Sequence, residues 1–352
     1  MTLAHRSSPT FIDLFSGAGG LSLGLQQAGW VGLGAVDSWK EAISSYSANI
    51  SGHPVMNADI ADPATAQRVV TEFPCPDWLV GGPPCQGFSS IGKRDRSDPR
   101  NQLIGAFART LEALNPEGFL VENVVGLRDM NFVDPVKALF TRFGYLVTSH
   151  IVTAASFGVP QLRRRIIFVG HKSIAFTEPP IPTHKPTEYV TVDDAIGDLP
   201  PLAAGATATA YVRPPYTDYQ RSMRRHSIRL QGHQASRHPP HLIEAISWIP
   251  DGGNRRSIPP KLQFSSGFHN SYARLHSQSP AVAITQNMGK PSSTRCIHPY
   301  QNRGLTAREG ARLQSFPDTF QFSGGVTSQR RQIANAVPPL LGRALGCYLH
   351  AR

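Results

Sequence analysis

Over the first 170 or so residues, short apolar runs alternate with stretches in which apolar positions recur at helical spacing. The runs are Phe11 to Phe15 (FIDLF), Val31 to Val36 (VGLGAV), Asp77 to Gly82 (DWLVGG), Phe119 to Asn123 (FLVEN), Tyr145 to Val152 (YLVTSHIV) and Ile166 to His171 (IIFVGH). Each has the length and content of a buried strand. Between them, Leu21, Leu25 and Ala28 fall on one helical face, and so do Leu103, Phe107, Leu111 and Leu114. Strands alternating with helices predict an α/β fold with a parallel sheet. The pattern stops near Thr177, and from there to about His276 the chain is rich in Pro, Gly, Ser, Arg and His, which predicts a smaller, irregular domain with many loops. Helical periodicity returns from Leu305 to Phe316, where Thr306 and Glu309 form a T-x-x-E capping box. A last helix is expected in VPPLLGRALGCYLH, with prolines in its first turn. The expected division is 1–171, 172–272 and 273–352, the last helix returning to the first domain.

Composition changes this picture in two ways. With 352 residues, 40% of them hydrophobic, the chain can bury the core of one large domain or two ordinary ones. No apolar run reaches the roughly 18 residues of a membrane span, and the opening MTLAHRSSPT lacks the apolar stretch of a secretory signal, so a cytoplasmic protein is expected. The charge is uneven. Of the net +11, +7 falls between Ala204 and Arg274, where nine Arg and one Lys face three acids and are interleaved with Tyr211, Tyr216, Tyr219, Trp248 and Phe264. Guanidinium groups fork onto phosphates and guanine edges, so this stretch reads as a polyanion-facing surface.

Two segments carry candidate chemistry. FIDLF runs directly into SGAGG and a helix, which puts Gly17, Gly19 and Gly20 at a strand-to-helix turn where a ligand can approach the backbone. Asp37, twenty residues after Gly17, ends the second strand, where a carboxylate can bind ribose hydroxyls. The third glycine of a dinucleotide fingerprint is replaced by Ser22, which weakens a dehydrogenase reading. The second segment, LVGGPPCQGFSSIG, places Cys85 in a Gly/Pro-rich loop at the carboxyl edge of the sheet. The other three cysteines, Cys75, Cys296 and Cys347, read as small buried hydrophobes. There is no CxxC pair and no HExxH or HxH grouping, so no metal site is expected.

In order and spacing, FIDLFSGAGGLSLGL, GGPPCQGFS, ENV (Glu122 to Val124), QLRRR (Gln161 to Arg165), RGLTAREGARLQSFPD (Arg303 to Asp318) and QIANAVPPLLGRALG (Gln332 to Gly346) resemble the motif series of DNA cytosine C5-methyltransferases. The resemblance implies a Rossmann-like, mostly parallel sheet with helices on both faces, a smaller target-recognition domain, and S-adenosylmethionine as cofactor. It matches Phe15, Ser16, Gly17, Ala18 and Gly20 to the methionine part of that cofactor. Asp37 and Ser38 match the ribose site, where the family usually has Glu in place of Asp37, and Asp59 and Ile60 match the adenine site. Pro84, Asn335 and Ala336 complete the cofactor contacts, some members having serine where this chain has Ala336. Cys85 matches the nucleophile that attacks cytosine C6, and Glu122 the carboxyl group that addresses N3. Arg165 matches the residue that reaches O2 and supports Glu122, and Arg163 one that orders the catalytic loop. Arg163 and Arg165 alternate on an expected strand, with Arg164 pointing away. The Pro83 carbonyl is an expected acceptor for the exocyclic amino group. Gln86 to Asn101 match the loop that closes over DNA, with Gln86, Ser89, Lys93, Arg94 and Arg96 as candidate contacts. Arg221, Arg224, Arg225, Arg229, Arg237, Arg255 and Arg256 are candidates for the target-recognition surface.

The partner implied is double-stranded DNA, bound by a monomer, with a separately acting restriction endonuclease as an open second partner. Little chain lies before Phe11 or after Gly346, which resembles a prokaryotic modification enzyme, or an orphan of that kind, rather than the large regulated relatives. Two alternatives stay open: a transfer-RNA cytosine C5-methyltransferase, which shares most of these motifs, and a catalytically silent DNA-binding relative. The long basic region favours duplex DNA over the first, and the presence of Cys85, Glu122, Arg163 and Arg165 speaks against the second.

Overall fold

The computed structural model describes residues 8–84, 103–265 and 271–351. They form two compact units, the first from Met1–Thr153, Arg164–Ile181 and Pro339–Arg352, the second from Ala154–Arg163 and Pro182–Pro338.

The first unit begins β1 (Thr10–Leu14), α1 (Gly20–Gln27), β2 (Val31–Asp37), α2 (Lys40–Asn49), β3 (Val55–Asn57), α3 (Pro63–Glu72) and β4 (Trp78–Gly81). It continues with α4 (Leu103–Leu114), β5 (Gly118–Val124), α5 (Gly126–Asp129), α6 (Val133–Thr141) and β6 (Leu146–Thr153). After β7 (Gln161–Leu162), which belongs to the second unit, β8 (Arg164–His171) returns to the first. The strands form one sheet in the order β3-β2-β1-β4-β5-β8-β6. The pairs from β3 through β5 are parallel, whereas β8 is antiparallel to both β5 and β6. Only residues 154–163 separate β6 from β8. A parallel connection needs a crossover of about a dozen residues or more, so the short link turns the chain back and the sheet is mostly parallel.

Alternation along the strands decides what each face of the sheet buries. Ile12, Leu14, Val36, Leu79, Phe119 and Val121 point into one core with Val69 of α3, Phe107 and Leu111 of α4 and Phe140 of α6. Full burial of side chains such as Phe107 and Phe140 contributes about 1.5–3 kcal/mol each. On the other face Ala35 packs with Tyr46 and Ile50, and Asp13 meets Ser22 of α1. α3 is started by Asp62, whose carboxylate accepts the Ala64 N–H at 2.9 Å, with Pro63 at its first position.

α12 (Pro339–His350) packs on α1 within this unit. Gly24 is needed there because a Cβ on it would lie 2.3 Å from the Pro339 carbonyl oxygen and 2.6 Å from the Arg343 nitrogen. The Trp30 indole donates to the Gly346 carbonyl at 3.2 Å and closes the far end of the contact.

The second unit carries α7 (Val192–Ile196), α8 (Asp218–Arg224), α9 (Pro240–Ser247), β9 (Ala273–Arg274), β10 (Ala281–Val282), β11 (Arg295–Ile297), α10 (Ala307–Leu313) and α11 (Val326–Asn335). Its strands are two or three residues long, so most of its buried carbonyls find no strand ladder. Buried arginines serve them instead. Arg274 donates to the carbonyls of Ile246, Ile249 and His298 at 2.6–2.9 Å, and Arg308 to those of Gln231, Pro317 and Phe320 at 2.9–3.1 Å. Around α10, Arg312 forks onto Asp318 at 2.6 and 2.7 Å and reaches Asp198 at 3.0 Å, all three fully buried. Arg303 pairs with Glu309 at 2.6 Å. Burial alone would raise the Glu309 carboxyl, but the Arg303 charge and hydrogen bonds, together with His298 and His233, outweigh it and hold the group well below the usual carboxylate range. Glu309 also closes the capping box with Thr306 that starts α10.

Candidate active site

The sheet order reverses at β1, which has β2 on one side and β4 on the other, so a crevice opens at the carboxyl ends of β1 and β4. The turn after β1 is built for close approach. Phe15 and Gly17 have left-handed φ values of 57° and 55°, and a Cβ on Gly17 would meet nothing within 4 Å. The turn is tied to the end of β2. Ser16 N–H donates to the Val36 carbonyl at 3.1 Å, and Gly17 N–H to one Asp37 carboxylate oxygen at 2.8 Å. The other Asp37 oxygen accepts the Trp39 N–H, also at 2.8 Å. A carboxylate has about four acceptor positions, so these bonds orient Asp37 without exhausting it. Ala18 is buried, and Gly20 opens α1. Ser38 and Asp59 are exposed beyond β2 and β3, with one Asp59 oxygen held by the Ala61 N–H at 2.9 Å, and Ile60 is buried behind them. The ends of three adjacent strands thus offer an open glycine turn and two carboxylates, a donor set that fits a nucleoside with an attached amino acid.

Asp13 lies beneath this turn and was not singled out from the sequence. It is 1% exposed and accepts the Ser22 hydroxyl at 2.6 Å. Burial first, and the Asp37 charge second, push its carboxyl up to about 7, against the opposing Ser22 hydrogen bond. The signal was present, since an acid within an apolar strand run is costly to bury.

At the end of β4, Gly81 is buried beside the Leu14 carbonyl, and the chain continues through Gly82, Pro83 and Pro84 toward Cys85. A Cβ on Gly82 would lie 3.7 Å from Glu122 Oε2, so the chain leads to Cys85 past the Glu122 carboxylate. Glu122 is 8% exposed, and its Oε1 lies 2.9 Å from Nε of Arg165. The register explains the pair. Glu122 stands opposite Ile167 across the β5–β8 ladder, so Arg165 is its diagonal neighbour on the same face. Asn123, the middle of ENV, was also missed. Its Oδ1 accepts the Val124 N–H at 2.8 Å, which turns its Nδ2 to donate to the Pro83 carbonyl at 3.0 Å. The Pro83 oxygen is therefore already engaged by Asn123. Pro84 is exposed. Cys85, Gln86, Ser89, Lys93, Arg94 and Arg96 lie outside the described residues.

The profile of C-5 cytosine-specific DNA methylases matches residues 9–349. The chain belongs to that family. Among similar proteins, the type II methyltransferase M1.HphI of Haemophilus parahaemolyticus is 39% identical, the match covering 97% of this chain and 87% of that protein. The type II methyltransferase M.DdeI of Desulfomicrobium norvegicum is 36% identical over 95% of this chain and 86% of its own. A crystal structure described as a DNA modification methyltransferase encoded within an Escherichia coli prophage superposes with a TM-score of 0.77. Its sequence is 26% identical, and the match covers 98% of this chain and 99% of that one.

Within this methylase, the remaining expected residues divide between the units. Arg165 joins Glu122 in the first unit, while Arg163, Asn335 and Ala336 belong to the second. Arg163 is buried and donates to the Ala334 carbonyl at 3.1 Å, whereas Arg164 is exposed. The basic candidates also sort themselves. Arg224 is half-buried: its guanidinium donates to Asp198 at 3.1 Å and to the Arg213 carbonyl at 2.8 Å, and lies 3.7 Å over the Tyr211 ring. Its charge is already engaged within the second unit. Arg255 is likewise half-buried, donates to the Phe264 carbonyl and lies 5.9 Å from the centre of the Tyr272 ring. Arg221 is exposed and pairs with Asp218 at 2.6 Å. Arg225, Arg229, Arg237 and Arg256 are exposed and remain the stronger DNA candidates. Among the described residues no group of three or more His, Cys, Asp or Glu side chains is arranged to hold a metal, and no helix is long and apolar enough to cross a membrane.

Proposed function

We propose that this methylase recognises a specific sequence in double-stranded DNA, extrudes the target cytosine and methylates its C5, as the modification enzyme of a restriction-modification system or as an orphan of that type. Extrusion costs a few kcal/mol in lost stacking and pairing, which contacts from the basic surface of the second unit offset. The cofactor residues would be Phe15, Ser16, Gly17, Ala18, Gly20, Asp37, Ser38, Asp59, Ile60 and Pro84, with Asn335 and Ala336 from the C-terminal segment. S-adenosylmethionine, when bound there, supplies an electrophilic methyl group.

The protein's own part is to make C5 nucleophilic. The Cys85 thiolate forms a bond to C6, and N3 takes a proton from Glu122, so the ring electrons collect at C5. Arg165 holds the Glu122 carboxylate in place and presents its guanidinium to the ring carbonyl. After methylation, the C5 proton leaves to a solvent base, the Cys85 sulfur departs as the thiolate, and N3 returns its proton to Glu122, which restores the aromatic ring. The observation that carries this reading is the placement of Glu122, buried, paired with Arg165, and beside the strand exit that leads to Cys85.

The test is covalent trapping on DNA containing 5-fluorocytosine, where the fluorine blocks the last proton loss. The native chain with S-adenosylmethionine should form the adduct, and Cys85→Ala should bind DNA without forming it. Turnover by Cys85→Ala would overturn the assignment, and methyl incorporation into transfer RNA rather than DNA would overturn the substrate. Bisulfite sequencing of DNA from expressing cells gives the recognised sequence.

A further inference from the structure

The segment that carries Asn335 and Ala336 ends α11, and its backbone is held by side chains from two other parts of the second unit. Ala336, after the last helical residue, turns to an extended conformation with φ −64° and ψ 147°. The last carbonyls of a helix have no partner within it, and here buried side chains cap this end. Gln314 is fully buried, and its Nε2 donates to the carbonyls of Ile333 at 2.7 Å and Ala336 at 3.4 Å. Arg163 donates to the carbonyl between them, Ala334, at 3.1 Å, which also places a cation at the negative end of the helix.

Gln314 is itself oriented. Its Oε1 accepts from Gln161 Nε2 at 2.8 Å. Gln161 is fully buried, donates to the Leu313 carbonyl at 3.0 Å and accepts the Ile284 N–H at 2.9 Å. The Ile284 N–H fixes which end of the Gln161 amide is oxygen, so Gln161 presents N–H to Gln314, and Gln314 in turn presents N–H to the helix end. Every position of this chain is determined by the one before it. Outside the clamp, the Asn335 side chain is exposed while Gln332, Ile333 and Ala334 are buried. The clamp fixes the backbone and leaves that one amide directed outward. Three residues further on, α12 begins and enters the first unit, where it packs on α1, the helix that follows the glycine turn.

We infer that Gln314 and Arg163, with Gln161 acting through Gln314, are positioning residues that set the backbone of Ile333 to Ala336 and so the cofactor contacts of Asn335 and Ala336. The inference rests on the proposed cofactor role of that segment. It also gives Arg163 a task in cofactor binding, apart from the loop-ordering task its motif suggested.

The probe is S-adenosylhomocysteine, titrated calorimetrically into the full chain with and without Gln314→Met, which conserves volume and removes the donors. Asn335→Ala and the double variant complete a cycle, and duplex DNA binding by each is measured alongside. Asn335→Ala should weaken S-adenosylhomocysteine binding about tenfold, or about 1.4 kcal/mol. Gln314→Met should weaken it to a similar extent with DNA affinity unchanged, and the double variant should lose clearly less than the sum of the two single losses. Native affinity in Gln314→Met, or losses that simply add in the double variant, would overturn the positioning role. No effect of Asn335→Ala would overturn the cofactor reading of the segment itself. Arg163→Lys, which keeps the charge but shortens the reach to Ala334, is the second variant should Gln314→Met not fold, and it must weaken S-adenosylhomocysteine binding through the same cycle.

Discussion

Asp13 makes the stability of this protein depend on pH in a direction opposite to that of most carboxylates. Its carboxyl titrates near 3.8 in a solvated chain and at about 7 in the folded one, because burial disfavours the charged form. The folded state therefore holds the proton more tightly. The stabilisation this gives is fully present below pH 3.8 and is lost as pH rises through about 7. Between those values the folded state carries one proton that the unfolded state has released, so stability falls by about 1.4 kcal/mol per pH unit from this group alone. Over the whole interval the loss is about 4 kcal/mol. Asp13→Asn retains an acceptor for Ser22 and cannot ionise. Urea denaturation of both proteins at pH 5, 6, 7 and 8 brings out the effect, because titrating groups not coupled to Asp13 cancel in the difference. The variant should gain on the native protein as pH rises from 5 to about 7, level off above that, and be the more stable of the two at pH 8. Parallel profiles would show that the buried carboxyl is ordinary and would refute the reasoning.

Arg312→Met should cost about 3–5 kcal/mol in urea unfolding, because it removes the cation shared by buried Asp198 and Asp318 and leaves each with only one other arginine, Arg224 and Arg308; adding Asp198→Asn and Asp318→Asn should restore much of it. Arg165→Lys keeps the charge beside Glu122 but not the Nε geometry, and should lower single-turnover methyl transfer at least about tenfold with S-adenosylhomocysteine affinity unchanged. Gly24→Ala should cost about 1–3 kcal/mol in thermal or urea unfolding, since its methyl group meets the Pro339 carbonyl of α12, whereas Gly29→Ala, with open space at its Cβ but a φ of 86°, should cost only its backbone strain.

Much of the first unit was legible because its strands are long apolar runs. β1, β2, β4, β5, β6 and β8 all begin and end within a few residues of the expected runs, and the Thr306–Glu309 capping box opens α10 as its spacing requires. β3 was not legible, being only three residues long and with one of them exposed. Nor was the direction of β8. An apolar run specifies burial and not polarity, and here the short link from β6 decided it. In the second unit, the arginine-rich stretch gives seven candidates without ranking them, because side-chain charge looks the same along a chain whether it meets a phosphate or a buried aspartate. Arg224 and Arg255 differ from Arg225 and Arg256 only in what the fold places beside them.

The candidate site divides in the same way. The ordered motifs, from the glycine turn through the prolines before Cys85 to Glu122 and the paired arginines, belong to the sequence, since local spacing and residue chemistry suffice to recognise them. The resemblance already paired Arg165 with Glu122, 43 positions earlier, but only tertiary structure supplied the means, an antiparallel register that puts the two on one face. Tertiary structure decided that Asp37 ties the first turn to the second strand, that Asp13 is buried beneath them, and that Gln161 and Gln314 clamp a helix end more than 150 positions after Gln161. Sequence determines which groups are available; their energies depend on distance and burial, which exist only once the chain has folded.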